Sequence, residues 1–186
     1  PMLSDRMSAG FVGGGETWMM LALRAGGDCE AWQCFWRVWD QKARDRRIWR
    51  VVYVRAPAPA PTEADSLAAA RRELAEALDD IHAFAERNQC GGFIECFASA
   101  RGALAGTPGT KRGFHRDLAP DGVLGADALA VLDACQHASV FGGMGSWNDQ
   151  SFDSAEGEAY ERVSERLFRA INRAIAAAAN EPAGAK

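Results

Sequence analysis

The chain has 186 residues, of which 48% are hydrophobic and 25% charged, and a net charge of −4. A chain this long buries a core in one domain without disulfide or metal staples. Its balance excludes a strongly basic nucleic-acid binder, and its apolar stretches, cut by Arg24, Arg37 and Arg50, stay short of the roughly 18–20 residues a membrane helix needs.

Charge is unevenly spread. Residues 1–60 hold 9 Lys+Arg against 6 Asp+Glu, and residues 61–186 hold 12 against 19. Neither half is basic enough to suggest nucleic acid, so neither nucleic acid nor a membrane is an expected partner. The start, PMLSDRMSAG, lacks the basic and then apolar segments of a secretory signal. Cys29, Cys34, Cys90, Cys96 and Cys135 are odd in number and form no C-x-x-C pair. They read as reduced thiols filling apolar space, which points to the cytoplasm.

In chain order, ETWMMLALRAGG (Glu16–Gly27) reads as a helix ending at its glycines. CEAWQCFWRVW (Cys29–Trp39) sets Trp32, Phe35, Trp36 and Trp39 at i, i+3, i+4 and i+7, one helical face. That tryptophan density makes Trp32, Trp36 and Trp39 interface candidates, for a partner protein or a second copy. RIWRVVYVRA (Arg47–Ala56) is β-branched and aromatic, and reads as a short strand. Pro57, Pro59 and Pro61 alternate with alanine and predict an extended connector over 57–61 between an aromatic region, 1–56, and a helical domain, 62–180.

Thr62, Glu63 and Asp65 make an acidic helix start, followed by Leu67, Ala70, Leu74, Ala77, Leu78, Ile81, Phe84 and Ala85 at three- and four-residue spacing. The glycines of NQCGG close this helix or bend it into a second one over Phe93–Leu104. Ala105–Gly125 reads as a long loop. Ala126–Ser139 reads as a helix turning Leu129, Leu132 and Cys135 inward. The longest helix, Ser154–Asn180, opens on a capping box of Asp153 and Glu156. It carries an apolar stripe from Tyr160 to Ala178 opposite a charged face that includes Arg166, Arg169 and Arg173. The last residues, 181–186, read as a frayed tail.

Catalytic patterns are sparse. Asp79 with His82, and Asp133 with His137, have helical spacing, yet the further carboxylates of a bundle metal site are missing, so no metal is expected. Cys135 and His137 point in different directions on one helix, and no G-x-S-x-G elbow follows a strand, so no catalytic residue is assigned. Lys111, Arg112, His115 and Arg116 are the best candidates for an anion or acidic-partner contact. VFGGMGSWNDQSF (Val140–Phe152) has neither the lysine of a phosphate-binding loop nor the last glycine of a dinucleotide fingerprint, so no cofactor is expected. It reads as a tryptophan-anchored interhelical turn in which Gly142, Gly143, Gly145, Trp147, Asn148 and Asp149 are candidates for ligand or partner contact.

FHRDLAPDG, ADALAVLDACQHASVFGGMGSWNDQSF and the spacing of Glu158–Ile175 together resemble an uncharacterised group of small bacterial helical proteins marked by a Val-Phe-Gly-Gly-Met-Gly-Ser-Trp-Asn-Asp segment. The resemblance covers about residues 62–180 and implies an all-helical domain. The resulting expectation is a mainly α protein, a bundle of four or five helices with an aromatic N-terminal region that adds a short strand. Its expected role is that of a non-catalytic protein-binding module, antitoxin- or immunity-like by its size and simplicity. The alternatives are a small-molecule binder or enzyme using the glycine-rich loop 142–149, and a self-associating structural protein.

Overall fold

The computed structural model describes residues 4–26, 28–58, 65–107 and 122–181. The chain divides into two compact units, Pro1–Glu63 and Ala64–Lys186. The first is a three-stranded antiparallel sheet and the second is helical, so the fold is mixed rather than purely helical.

In the first unit a single-turn helix, α1 (Asp5–Ser8), is capped by Ser4, whose side chain accepts the Met7 N–H. The sheet follows as a meander of β1 (Met19–Leu23), β2 (Cys29–Val38) and β3 (Trp49–Ala56), with β2 in the middle. The strand expected within Arg47–Ala56 forms at Trp49–Ala56, while the helices expected at Glu16–Gly27 and Cys29–Trp39 are replaced by the strands Met19–Leu23 and Cys29–Val38. A lone strand is not stable, so the β-rich Val51–Val54 run needs a partner, and Cys29–Val38 supplies one over eight consecutive register positions. The aromatic spacing that suggested a helix also satisfies the alternation of a strand, with Trp32, Cys34, Trp36 and Val38 on one face. Met19–Leu23 has ordinary helix formers, and pairing with β2 overrides that weak preference.

Among the described residues the second unit is a four-helix bundle of α2 (Leu67–Arg87), α3 (Gly92–Ala105), α4 (Ala126–Ala138) and α5 (Ser154–Asn180). Helix α2 packs on α3 and α5, and α4 packs on α3 and α5. Its apolar positions close one core around Leu74, Leu78, Ile81, Phe97, Val131 and Leu167, all fully buried. Each such side chain contributes about 1.5–3 kcal/mol by leaving water.

Helix ends differ from the expected ones in instructive ways. Helix α2 starts at Leu67, with Ser66 as the cap accepting the Ala69 N–H at 3.2 Å. Asp65 lies ahead of that cap, and Thr62 and Glu63 lie outside the described residues. Helices α2 and α3 are separate, because Gln89 and Gly91 both take positive φ between them. In α4 the buried stripe is Ala128, Val131, Ala134, Cys135 and Ala138, whereas Leu129 and Leu132 are half-buried. Small side chains on that stripe let α3 and α5 approach closely, so the larger leucines sit at its flanks. The capping box of α5 does not form: Asp153 makes no capping hydrogen bond, and Glu156 accepts one from the Asn88 side chain at 3.2 Å.

Candidate functional site

The turn between α4 and α5 is built around Trp147, which is fully buried. Its ring lies edge-on to Phe93 and Phe97, each at 5.2 Å between centroids, and near Tyr160 at 5.5 Å. The indole Nε1–H donates to the buried Ser164 Oγ at 2.7 Å, and the Tyr160 hydroxyl donates to the Trp147 carbonyl at 2.7 Å. The Trp147 N–H returns to the Val140 carbonyl at 3.0 Å. Burying the indole therefore leaves no polar atom of the residue without a partner, the condition under which Trp is a good core residue. Trp147 belongs to the core of its own domain and is not available as a contact residue.

The glycines around it have different duties. Gly145 holds φ at +83°, a conformation other residues adopt at a cost, and its N–H donates to the Asp149 carboxylate. The Ser146 hydroxyl donates to the Gly142 carbonyl at 3.1 Å, and its oxygen accepts the Asn148 N–H at 3.3 Å. Gly142 and Gly143 have no positive φ, and a Cβ on either would meet nothing within 4 Å. Met144 stands fully exposed at the tip. A phosphate placed at this turn would face the Asp149 carboxylate and compete with it for the Gly145 amide, so the turn is built as packing and not as an anion cradle.

The other sequence candidates are scattered. Lys111, Arg112, His115 and Arg116 lie outside the described residues. Asp79 pairs with Arg101 at 2.7 Å and His82 with Glu86 at 3.5 Å, and both Asp133 and His137 are half-buried on α4. Among the described residues no group of three or more His, Cys, Asp or Glu side chains could hold a metal ion. All five cysteines are free thiols, and burial pushes that of Cys135 up to about 12, which leaves it protonated and inert near neutral pH. A cleft of about 450 Å³ lies between α2 and α3 beside Arg71 and Arg101. Both guanidinium groups are engaged, Arg71 with Asp127 at 2.9 Å and with the Leu104 carbonyl, and Arg101 with Asp79.

The sheet carries the more distinctive surface. Opposed residues of an antiparallel pair share a face, so Met20, Trp32, Trp36, Val38, Trp49 and Tyr53 lie on one side. Trp36 is 51% exposed, Tyr53 59% and Met20 57%, while Trp32 is half-buried. Trp39 lies beyond the end of β2, so the expected Trp32–Trp36–Trp39 helical face is replaced by a strand face holding the first two alone. The Arg50 guanidinium stacks on the Trp39 ring at 3.2 Å, and the indole stays exposed beside it. Sequence reasoning missed Ser164, because it stands among charged residues. Its spacing four after Tyr160 and three before Leu167 was the signal that it lies on the buried stripe.

In comparisons with known proteins, no family model, no curated protein and no solved structure matches the chain. Among the described residues no helix is long and apolar enough to cross a membrane.

Proposed function

We propose that the chain is a non-catalytic protein-binding module whose contact surface is the aromatic face of its sheet. One observation carries the reading: Met20, Trp36, Trp49 and Tyr53 gather on one face of a thin sheet and each stays 40% exposed or more. Isolated exposed apolar residues are ordinary, whereas a contiguous aromatic patch is a feature of contact surfaces, where Trp and Tyr dominate binding energy. Arg55 lies on the same face, where it pairs with Glu30 at 3.1 Å, while Arg37 and Arg50 oppose each other on the other face, so the fitting partner is a protein with a complementary apolar patch. An antitoxin- or immunity-like role, in which a small protein covers a target, is one form of this reading.

The test is affinity capture from the native cell extract with the wild-type chain and with a Trp36→Ser/Tyr53→Ser variant. The expected result is a stoichiometric protein retained by the wild type and bound at least about a hundredfold less tightly by the variant, as loss of two aromatic anchors at ~2 kcal/mol or more would give. Equal retention by both chains, or no stoichiometric protein at any salt, overturns it.

A further inference from the structure

The edge of the sheet, as distinct from its face, has its own chemistry. Strand β1 is an outer strand, and its sequence Met-Met-Leu-Ala-Leu holds no charge, no proline and no bulge in its register with β2. Natural sheets blunt outer strands with just those devices, because a bare edge is a template for another strand.

The hydrogen-bond alternation says which groups are bare. The Arg24 N–H donates to the Asp28 carbonyl at 2.9 Å, one step beyond the Leu23–Cys29 pair. Bonded and non-bonded pairs alternate along an antiparallel ladder. Ala22 and Met20 therefore exchange bonds with β2, while Met19, Leu21 and Leu23 turn both their N–H and their C=O outward. Among the described residues no backbone hydrogen bond reaches those outward groups.

We infer that β1 pairs antiparallel with β1 of a second copy, about a twofold axis through Leu21. In that register Leu21 faces its own counterpart, and Met19 faces Leu23 of the second copy. Each of these pairs exchanges both main-chain bonds, so every outward group of the strand finds a partner and apolar side chains lie opposite apolar side chains. The contact is isologous and closes on itself as a dimer.

Charge separates this pairing from its competitors. The other outer strand, β3, carries Arg50 and Arg55, and two copies of it would bring four guanidinium groups to one seam. Pairing β1 with β3 is head-to-tail, gives a ring or an open chain rather than a twofold dimer, and sets the arginines of β3 on the seam. Only β1 with β1 is both neutral and closed. The inference goes beyond the proposed function: it concerns the edge, and it leaves the aromatic face of each copy open.

Sedimentation of the full chain over a concentration series tests it, with a charge swap at Leu21, a half-exposed position that accepts a polar head. The wild type is expected to dimerise. Leu21→Lys and Leu21→Glu, each checked for a native circular-dichroism spectrum, should each dimerise at least about tenfold more weakly, since like charges then face each other. Mixing the two variants in equal amounts should restore a dimer, and Val54→Lys on β3 should leave the wild-type affinity unchanged. A monomeric wild type, a Leu21→Lys chain that dimerises normally, or a mixture that stays monomeric overturns the pairing. None of these outcomes touches the partner reading, which the Trp36 and Tyr53 variant decides.

Discussion

Trp147 organises the helical unit because its indole combines a large apolar surface with one N–H that has a single buried acceptor. Ser164→Ala removes that acceptor and leaves the Nε1–H dry and unpaired. The expected cost is about 1–3 kcal/mol, read as a lowered urea midpoint with an unchanged slope. The neighbouring glycines divide by backbone need. Gly145→Ala must hold a side chain at φ +83° and should cost about 1–2 kcal/mol. Gly143→Ala adds a methyl group into open space at an ordinary φ and should stay within about 0.5 kcal/mol of wild type in the same denaturation experiment. Nothing in the sequence distinguishes these two glycines, because the difference lies in the angle the turn takes on its way back to α5.

Helices α2 and α5 are held by more than their apolar stripes. On α5, Arg173 bonds both oxygens of Asp65 at 2.8 and 2.9 Å and reaches Glu73, while Arg166 reaches Glu76 and Asp80 on α2. The arginines lie one heptad apart on their helix, so they meet successive turns of their neighbour. These pairs are exposed, and each adds little by itself. The hydrogen bond from Arg173 holds the Asp65 carboxyl below its ordinary 3.8. A lowered folded value means that the native state favours the ionised form, so this stabilisation is fully present above the ordinary value and disappears as pH falls through the lowered one. Asp65→Asn should therefore melt below wild type at pH 7. The gap should narrow as the pH is lowered past 3.8 and should shrink in high salt, both followed by thermal melts. The helical periods of α2 and α5 were legible because a buried stripe repeats at 3.6 residues whatever the partner. The ladder across them was not, because the partners of Arg166 and Arg173 are set by which helices become neighbours. Within α5 itself Arg169 bonds Glu165 one turn away at 3.0 Å, a contact that local spacing sets, whereas Arg166, four residues after the like-charged Arg162, is met by the carboxylates of α2.

At the scale of the whole chain, a sheet unit with an apolar edge and an aromatic face accompanies a helical unit with a closed core. If edge and face act as proposed, they are separable. Leu21→Lys should turn a two-to-two assembly with the partner into one-to-one without weakening the contact of each copy, measured by light scattering and titration calorimetry. The Trp36→Ser/Tyr53→Ser variant should do the reverse, losing the partner and keeping the dimer.

By itself the sequence determined the helical segments of the second unit, though not whether α2 and α3 are separate, and the strand at Trp49–Ala56, because local periodicity and β-branched content act through the chain's own backbone. It also determined that Val140–Phe152 lacks the parts of a nucleotide loop. Only the tertiary structure decided that Met19–Leu23 and Cys29–Val38 are strands, since their apolar spacing satisfies both periods and the neighbour that pairs with them breaks the tie. It alone decided that Trp147 faces inward. A tryptophan in a glycine-rich turn is buried or exposed according to where the polar Ser164 and the rings of Phe93 and Phe97 come together, and chain spacing cannot state that.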